Sequence, residues 1–323
     1  MRVADLSDFS DLLLTLYRLA HEASLDEFQD GALELIKPVV PFDSAMWGTA
    51  TMTSTGVDIH TIHLHRSSPE MLLDYEQHKA HDTAAQAVLE HRHATGFFHT
   101  PSTAHDAGLR DFLRRYEHEN IFITASTDPA TRFVHAISLF RSNQDAQGHE
   151  EERQWLERLR PHLMQALAFN HATHLQRWAP AATGLPRGLA VADLRGTVHH
   201  ADAPFDTLLR TEWAGWQCAV LPPTLLKSFL SGAHEHVGTT LVVRGQVQHG
   251  LLFLRGRPRC LADALSPRER EVALLVAQGC TYKQVAQRLH RAPATVRNHL
   301  QSIHSKLAVC NVAGLIEALR LAI

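Results

Sequence analysis

Residues 265–323 read LSPREREVALLVAQGCTYKQVAQRLHRAPATVRNHLQSIHSKLAVCNVAGLIEALRLAI, and they decide the C-terminal fold. Ser266 is placed as an N-cap, Pro267 as the first helical residue and Glu269 as the far side of a capping box. Val272, Leu275 and Val276 fall on one stripe, and Gly279 ends the helix where a positive φ is wanted. Thr281 caps a second helix with Gln284 three residues on, and Val285, Ala286 and Leu289 face inward. A turn through His290 to Ala292 leads to Pro293 at the start of a third helix. That helix points Val296, Leu300, Ile303 and Leu307 inward, and Arg297, Asn298, Gln301 and Ser305 outward. A fourth helix from Val312 closes the bundle.

A helix, a short helix, a tight turn and a polar-faced helix make a helix-turn-helix, whose last member would enter the major groove of DNA. Arg297 suits a bidentate bond to guanine, and Asn298 and Gln301 suit adenine. Lys283, Thr295 and Lys306 are placed to hold phosphates. A four-helix core with a solvated polar face would carry the same apolar stripe.

The stretch resembles the LuxR-type (GerE-like) DNA-binding domain. The resemblance rests on Leu265-Ser-Pro-Arg-Glu269-Arg-Glu271-Val, on Gly279, Lys283, Ala286 and Leu289, and on Thr295-Val296-x-Asn298-His299 followed by Ile303, Lys306 and Leu307. Three positions depart from that pattern. Ala292 replaces a Ser/Thr cap, His290 stands where Gly is common, and Cys310 occupies a position that is often basic. The resemblance implies sequence-specific binding of double-stranded DNA and a transcriptional regulator, with RNA polymerase as a further partner. A single such unit reads few base pairs, so a homodimer is expected.

Upstream, the chain alternates differently. Residues 8–24 and 26–37 read as amphipathic helices, the second closed by Pro38 and Pro41. Ser44 to Met52 and Val57 to His65 read as strands joined by a turn at Thr53-Ser-Thr-Gly56. Ser68-Pro69 starts a helix, and another covers Asp82 to His91. Gly96 to His99, Ile121 to Ser126 and Arg132 to Arg141 read as strands, with a helix over Leu109 to Tyr116. A long helix runs from His149 to Gln176. Its Leu156, Leu159, Leu163, Ala166 and Asn170 form a seam that could serve a twin or its own domain, and Pro161 could kink it. Ala179 to Gly184 reads as a linker. Beyond it come a strand pair from Gly188, helices at Phe205 to Arg210 and Thr224 to Leu230, and a hairpin placed with its turn at Gly245.

The first region is similar to GAF-like sensors, and residues 185–256 to a PAS-type module. The expected fold class is therefore multidomain α+β. It comprises a GAF-like α/β sensor with its connecting helix (1–178), a small PAS-like α+β module (185–257) and an all-α four-helix LuxR-type helix-turn-helix (262–323). The first region resembles acyl-homoserine-lactone receptors only in outline. Tyr75, Asp82 and Phe97 fall near the positions of an aromatic, an Asp for the ligand amide and a second aromatic. Asp82 is followed by Thr instead of Pro, and an extra module precedes the DNA-binding domain. Asp82 also reads simply as a helix N-cap. Trp47, His63, Tyr75, Asp82 and Phe97 are the candidate residues for an unidentified small-molecule effector, and they read equally as core. Two alternatives stand beside a ligand-controlled regulator: an acyl-homoserine-lactone-type quorum-sensing receptor, and a helix-turn-helix interaction or dimerisation protein without ligand control.

Composition narrows the classes. The 323 residues are 45% hydrophobic and 20% charged, which is globular and long enough for two or three domains. No apolar run reaches the ~18 residues of a membrane span. The acidic, amphipathic start lacks the features of a signal peptide, so a cytoplasmic location is expected. Residues 262–323 hold eight Lys/Arg against four Asp/Glu, while the remainder holds 23 against 30. A basic tail on an acidic body suits a nucleic-acid partner. Four cysteines without a CxxC argue against a zinc ribbon or a disulfide framework. The 24 histidines read as a residue bias; His63/His65, His91/His93 and His234/His236 are the nearest metal candidates, and no metal or cofactor is expected. The sequence lacks GxSxG, P-loop and post-strand GxGxxG patterns, so no enzyme is expected.

Overall fold

The computed structural model describes residues 6–53, 56–89, 93–127, 133–178, 187–217 and 220–321. The chain forms two compact units, one of residues 1–174 with 249–251, the other of 175–248 with 252–323. The linker expected at 179–184, the turn residues Ser54 and Thr55, His91 and Cys218 lie outside the described residues.

In the first unit, helices α1 (Leu6–Glu22) and α2 (Leu25–Ile36) precede strands β1 (Ser44–Thr53) and β2 (Gly56–His65). Then follow α3 (Glu70–His78), α4 (Thr83–Leu89), β3 (His93–His99), α5 (Thr100–Thr103) and α6 (Ala107–Arg115). Strands β4 (Asn120–Thr127) and β5 (Phe133–Arg141) and the long α7 (Glu150–Trp178) complete the series. The strands make one sheet in the order β2-β1-β5-β4-β3, and its neighbouring strands are antiparallel.

Alternation along the strands separates two apolar layers. Ala45 and Trp47 of β1, Phe122 of β4 and Ile137 and Leu139 of β5 pack with α1, α2 and α7. Ala50 of β1, Ile121 and Ile123 of β4 and Val134 and Phe140 of β5 face Met71, Val88, Leu109 and Phe112 of α3, α4 and α6. In β2 a bulge preserves this division: Thr49 pairs with Thr61 and Ala50 with Ile59, leaving His60 as the extra residue. The shift lets Val57 and Ile59 share a face with Ile62, which strict alternation would not allow.

The seam of α7 belongs to its own domain. Leu156, Leu159, Leu163 and Ala166 are fully buried against α1, α2 and the sheet. Asn170 donates through Nδ2 to the carbonyls of Ala20 and Ala23, both at 3.0 Å. These side chains are spent on the fold, so of the two readings of the seam its own domain is the one realised. The helix is unbroken through Pro161.

The second unit holds two separate cores. Strands β6 (Gly188–Asp193), β7 (Val198–Ala201), β8 (Glu235–Val237), β9 (Leu241–Gln248) and β10 (Leu251–Pro258) form a sheet in the order β7-β6-β10-β9-β8. Helices α8 (Ala203–Glu212) and α9 (Pro223–Leu230) cover one face through Phe205, Leu209, Leu225 and Phe229. Asp202 caps α8 by accepting from the Phe205 N–H at 2.8 Å. The hairpin turn expected at Gly245 sits elsewhere. His249 and Gly250 both have positive φ (50° and 74°), as a two-residue hairpin turn demands. Gly245 lies inside β9, where a Cβ would come within 2.6 Å of the Phe229 ring. That glycine answers to close packing, and local sequence does not distinguish this from a turn.

The C-terminal core joins α10 (Pro267–Ala277), α11 (Tyr282–Arg288), α12 (Pro293–Leu307) and α13 (Val312–Arg320).

Candidate functional site

Two sites emerge, one on α12 and one in the first unit. In the C-terminal domain Ser266 and Glu269 form the expected capping box on α10, and Thr281 and Gln284 form another on α11. Gly279 has φ 88°, which frees the chain to turn out of α10. Val296, Ile303 and Leu307 are buried and Leu300 half-buried, so α12 is held by one face. The opposite face leaves Thr295, Arg297, Asn298 and Gln301 exposed, and Lys283 is exposed on α11. The Arg297 guanidinium lies over the Tyr282 ring, 5.1 Å from its centre. Tyr282 was not among the residues expected at this site. The stacking limits the rotamers of Arg297 before any ligand arrives, and only tertiary proximity reveals it.

Lys306 is redirected. Its Nζ donates to Glu269 Oε2 at 2.6 Å, and Ser302 Oγ donates to Glu269 Oε1 at 2.6 Å. The Ser266 N–H donates to the same carboxylate at 2.8 Å. Lys306, and then Ser302 and Ser266, hold the Glu269 carboxyl down at about 2. The expected phosphate role of Lys306 therefore gives way to an internal ion pair that ties α12 to α10.

The departures at 290 and 292 have visible consequences. His290 takes φ 49°, the conformation that glycine adopts without strain. Ala292 is the N-cap of α12 and offers no side-chain acceptor. Ala292→Ser is expected to stabilise the domain by about 1 kcal/mol, because a hydroxyl there can accept an orphan N–H of the first turn. Chemical denaturation of both proteins measures this.

In the first unit a cavity of about 790 Å³ lies between the sheet and α3, α4 and α6. That volume is within the range of small-molecule sites. Met46, Ile59, Ile62, Val134 and Phe140 provide much of its apolar wall. Tyr75 and Asp82 reach it with polar groups: the Tyr75 hydroxyl donates to Asp82 Oδ2 at 2.9 Å, and Asp82 Oδ1 accepts from the Ala85 N–H at 2.9 Å. Asp82 is thus both cavity wall and helix cap. Burial raises its pKa above the ordinary carboxyl value, against the lowering effect of those hydrogen bonds. Burial and the neighbouring carboxylate push the Tyr75 hydroxyl up.

The other three candidate residues lie on the opposite side of the sheet. Trp47 packs against Phe28 with ring centres 6.2 Å apart, in the layer of α1 and α2. Phe97 packs on Phe122 at 4.9 Å in that same layer. His63 Nε2 lies 2.8 Å from Asp30 of α2, while His65 bridges Asp30 at 2.7 Å and Glu34 at 3.0 Å. None of the three lines the cavity, so Trp47 and Phe97 are corrected to core and His63 to a pairing with Asp30. Among the described residues, no group of three or more His, Cys, Asp or Glu could hold a metal ion. Cys260, Cys280 and Cys310 are free thiols. No helix among the described residues is long and apolar enough to cross a membrane.

Residues 263–319 match the family model of bacterial regulatory proteins, luxR family. The chain is 40% identical over 68 residues to the probable transcriptional regulatory protein NarL of Mycobacterium tuberculosis, covering 21% of this chain and 32% of that protein. It is 43% identical over 54 residues to the transcriptional activator protein BglJ of Escherichia coli, covering 17% and 24%. The chain thus spans about a third or less of these curated relatives. Among solved structures, Escherichia coli SdiA is similar at 14% identity and a TM-score of 0.39, over 97% of this chain and 98% of that one. The C-terminal domain carries a LuxR-type helix-turn-helix.

Proposed function

We propose that the whole chain is a transcriptional regulator that binds double-stranded DNA through α12 and answers to a small molecule held in the cavity of its first unit. The observation that carries the reading is the exposed row of Thr295, Arg297, Asn298 and Gln301 on a helix whose other face is locked into the core. In this reading Arg297, Asn298 and Gln301 meet base edges, and Lys283 and Thr295 meet phosphates. The regulator acts as a cytoplasmic homodimer with RNA polymerase as a further partner, and it is not an enzyme. Its first unit serves as a GAF-like sensor and its second sheet as a PAS-like module. The cavity, with Tyr75 and Asp82 in its wall, supports an effector that is largely apolar with one or two polar groups.

The test begins with selection of a duplex sequence by the full chain, followed by titrations at two salt concentrations. Arg297→Ala is expected to cost about 1–3 kcal/mol on the selected duplex and to relax preference at one base pair. Lys283→Ala should weaken all duplexes alike and reduce the salt slope by about one, through loss of one phosphate contact. If Arg297→Ala left affinity and preference unchanged in a folded protein, the placement of α12 in the major groove would fail.

A further inference from the structure

Four arginines converge on the face of the second sheet that is turned away from α8 and α9. Along β9, Leu241 and Val243 enter the core while Val242 and Arg244 face the other way. Along β10, Leu252 and Leu254 enter the core while Arg255 and Arg257 face the other way. Arg187, just before β6, completes the group, and together they line a void of about 10 Å³. That is room for one water-sized atom.

Arg244 Nε donates to Glu235 at 2.8 Å, and Arg257 makes two bonds of 2.6 Å to Asp263. Arg187 is different: its Nε and Nη1 are buried without a hydrogen-bond partner. Burying donors without acceptors is costly, and a guanidinium cannot escape by losing its proton. Burial, and then the guanidiniums of Arg257 and Arg244, disfavour the Arg187 cation. Arg255 is disfavoured by burial and then by Arg187, Arg244 and Arg257. The fold therefore concentrates planar, fork-shaped donors at one point and leaves two donors of Arg187 unmet. An oxyanion satisfies both demands, since its oxygens match the guanidinium fork and its charge offsets the repulsion.

We propose that Arg187, Arg244, Arg255 and Arg257 form a binding site for a small oxyanion, the phosphate or carboxylate group of a compact ligand, with one oxygen seated in the void. The site is separate from the cavity of the first unit and does not depend on the DNA-binding reading. It would make the second module a sensor in its own right.

The experiment uses thermal melting of the full chain in a sulfonate buffer. Inorganic phosphate, succinate and sodium chloride are each added at about 10 mM and matched ionic strength. A ligand that binds only the folded state raises Tm, and an increase of about 3 °C over chloride is expected for at least one of the two oxyanions. Response to phosphate alone or to succinate alone identifies which group the site takes. Arg187→Gln should abolish the increase, and without added anion it should melt no lower than the parent because the repulsion is relieved. Arg255→Gln provides the same comparison if Arg187→Gln does not fold. An equal increase in the parent and a folded variant, or no increase in the parent with either oxyanion, overturns the proposal.

Discussion

Glu269→Ala is expected to cost the C-terminal domain about 3 kcal/mol and to abolish DNA binding by unfolding it. The side chain is 6% exposed and receives Lys306, Ser302 and the Ser266 N–H at 2.6–2.8 Å. Alanine removes every one of those bonds and leaves the Lys306 ammonium without its counter-charge; breaking such a pair costs on the order of 3–5 kcal/mol when fully buried. Lys306 is 39% exposed, which places the expectation at the lower end. Thermal melting followed by helical circular dichroism measures the loss. Glu269→Gln should lose less, because an amide oxygen still accepts from a hydroxyl or N–H. Lys306→Ala separates the structural role from a phosphate contact. It should lower stability and leave the salt slope of DNA binding in the surviving folded protein unchanged, whereas loss of a phosphate contact would reduce that slope by about one.

Acidification is expected to destabilise the first unit through His118. This imidazole is 2% exposed and stacks on Phe140 at 3.6 Å with the ring planes 8° apart. Its Nδ1 is buried without a hydrogen-bond partner. Burial lowers its pKa to about 3. The unfolded chain binds this proton near pH 6.5, whereas the folded unit does not until about pH 3. Stability is therefore full above about pH 6.5 and declines as pH falls, by up to about 1.4 kcal/mol per unit. The whole window amounts to about 5 kcal/mol, of which about 2 kcal/mol falls between pH 6.5 and 5. Asp82, whose pKa is raised, acts in the opposite sense at lower pH, because the folded form takes its proton first. Urea denaturation at pH 6.5 and 5 reads the early part of the window. His118→Phe retains the stacked ring and removes the proton, so its stability should change little over this interval. If parent and variant lost stability equally, His118 would not be the titrating group.

The helix proposed to read DNA was legible residue by residue. Capping pairs, Pro267 and Pro293 at helix starts and a three-four apolar stripe are local signals, and each helix lies where they place it. The cavity was half legible. Tyr75 and Asp82 adjoin it, but aromatic character alone also groups Trp47, His63 and Phe97 with them, and these lie outside it. A strand assigns alternate residues to opposite faces, and sequence alone does not say which face carries a cavity. The bulge at His60 removes even the alternation as a guide.

Local chemistry thus determined the helices, their caps, the polar face of α12 and the mixed α/β character of the remainder, because each depends on residues within about one turn or one hairpin of each other. Tertiary structure decided what depends on distant partners. It sent Lys306 to Glu269 instead of outward, seated Arg297 on Tyr282, committed the α7 seam to its own sheet and gathered Arg187 with Arg244, Arg255 and Arg257. A long side chain such as Lys or Arg has several reachable environments, and the fold selects among them by the charge and burial that remote segments bring to it.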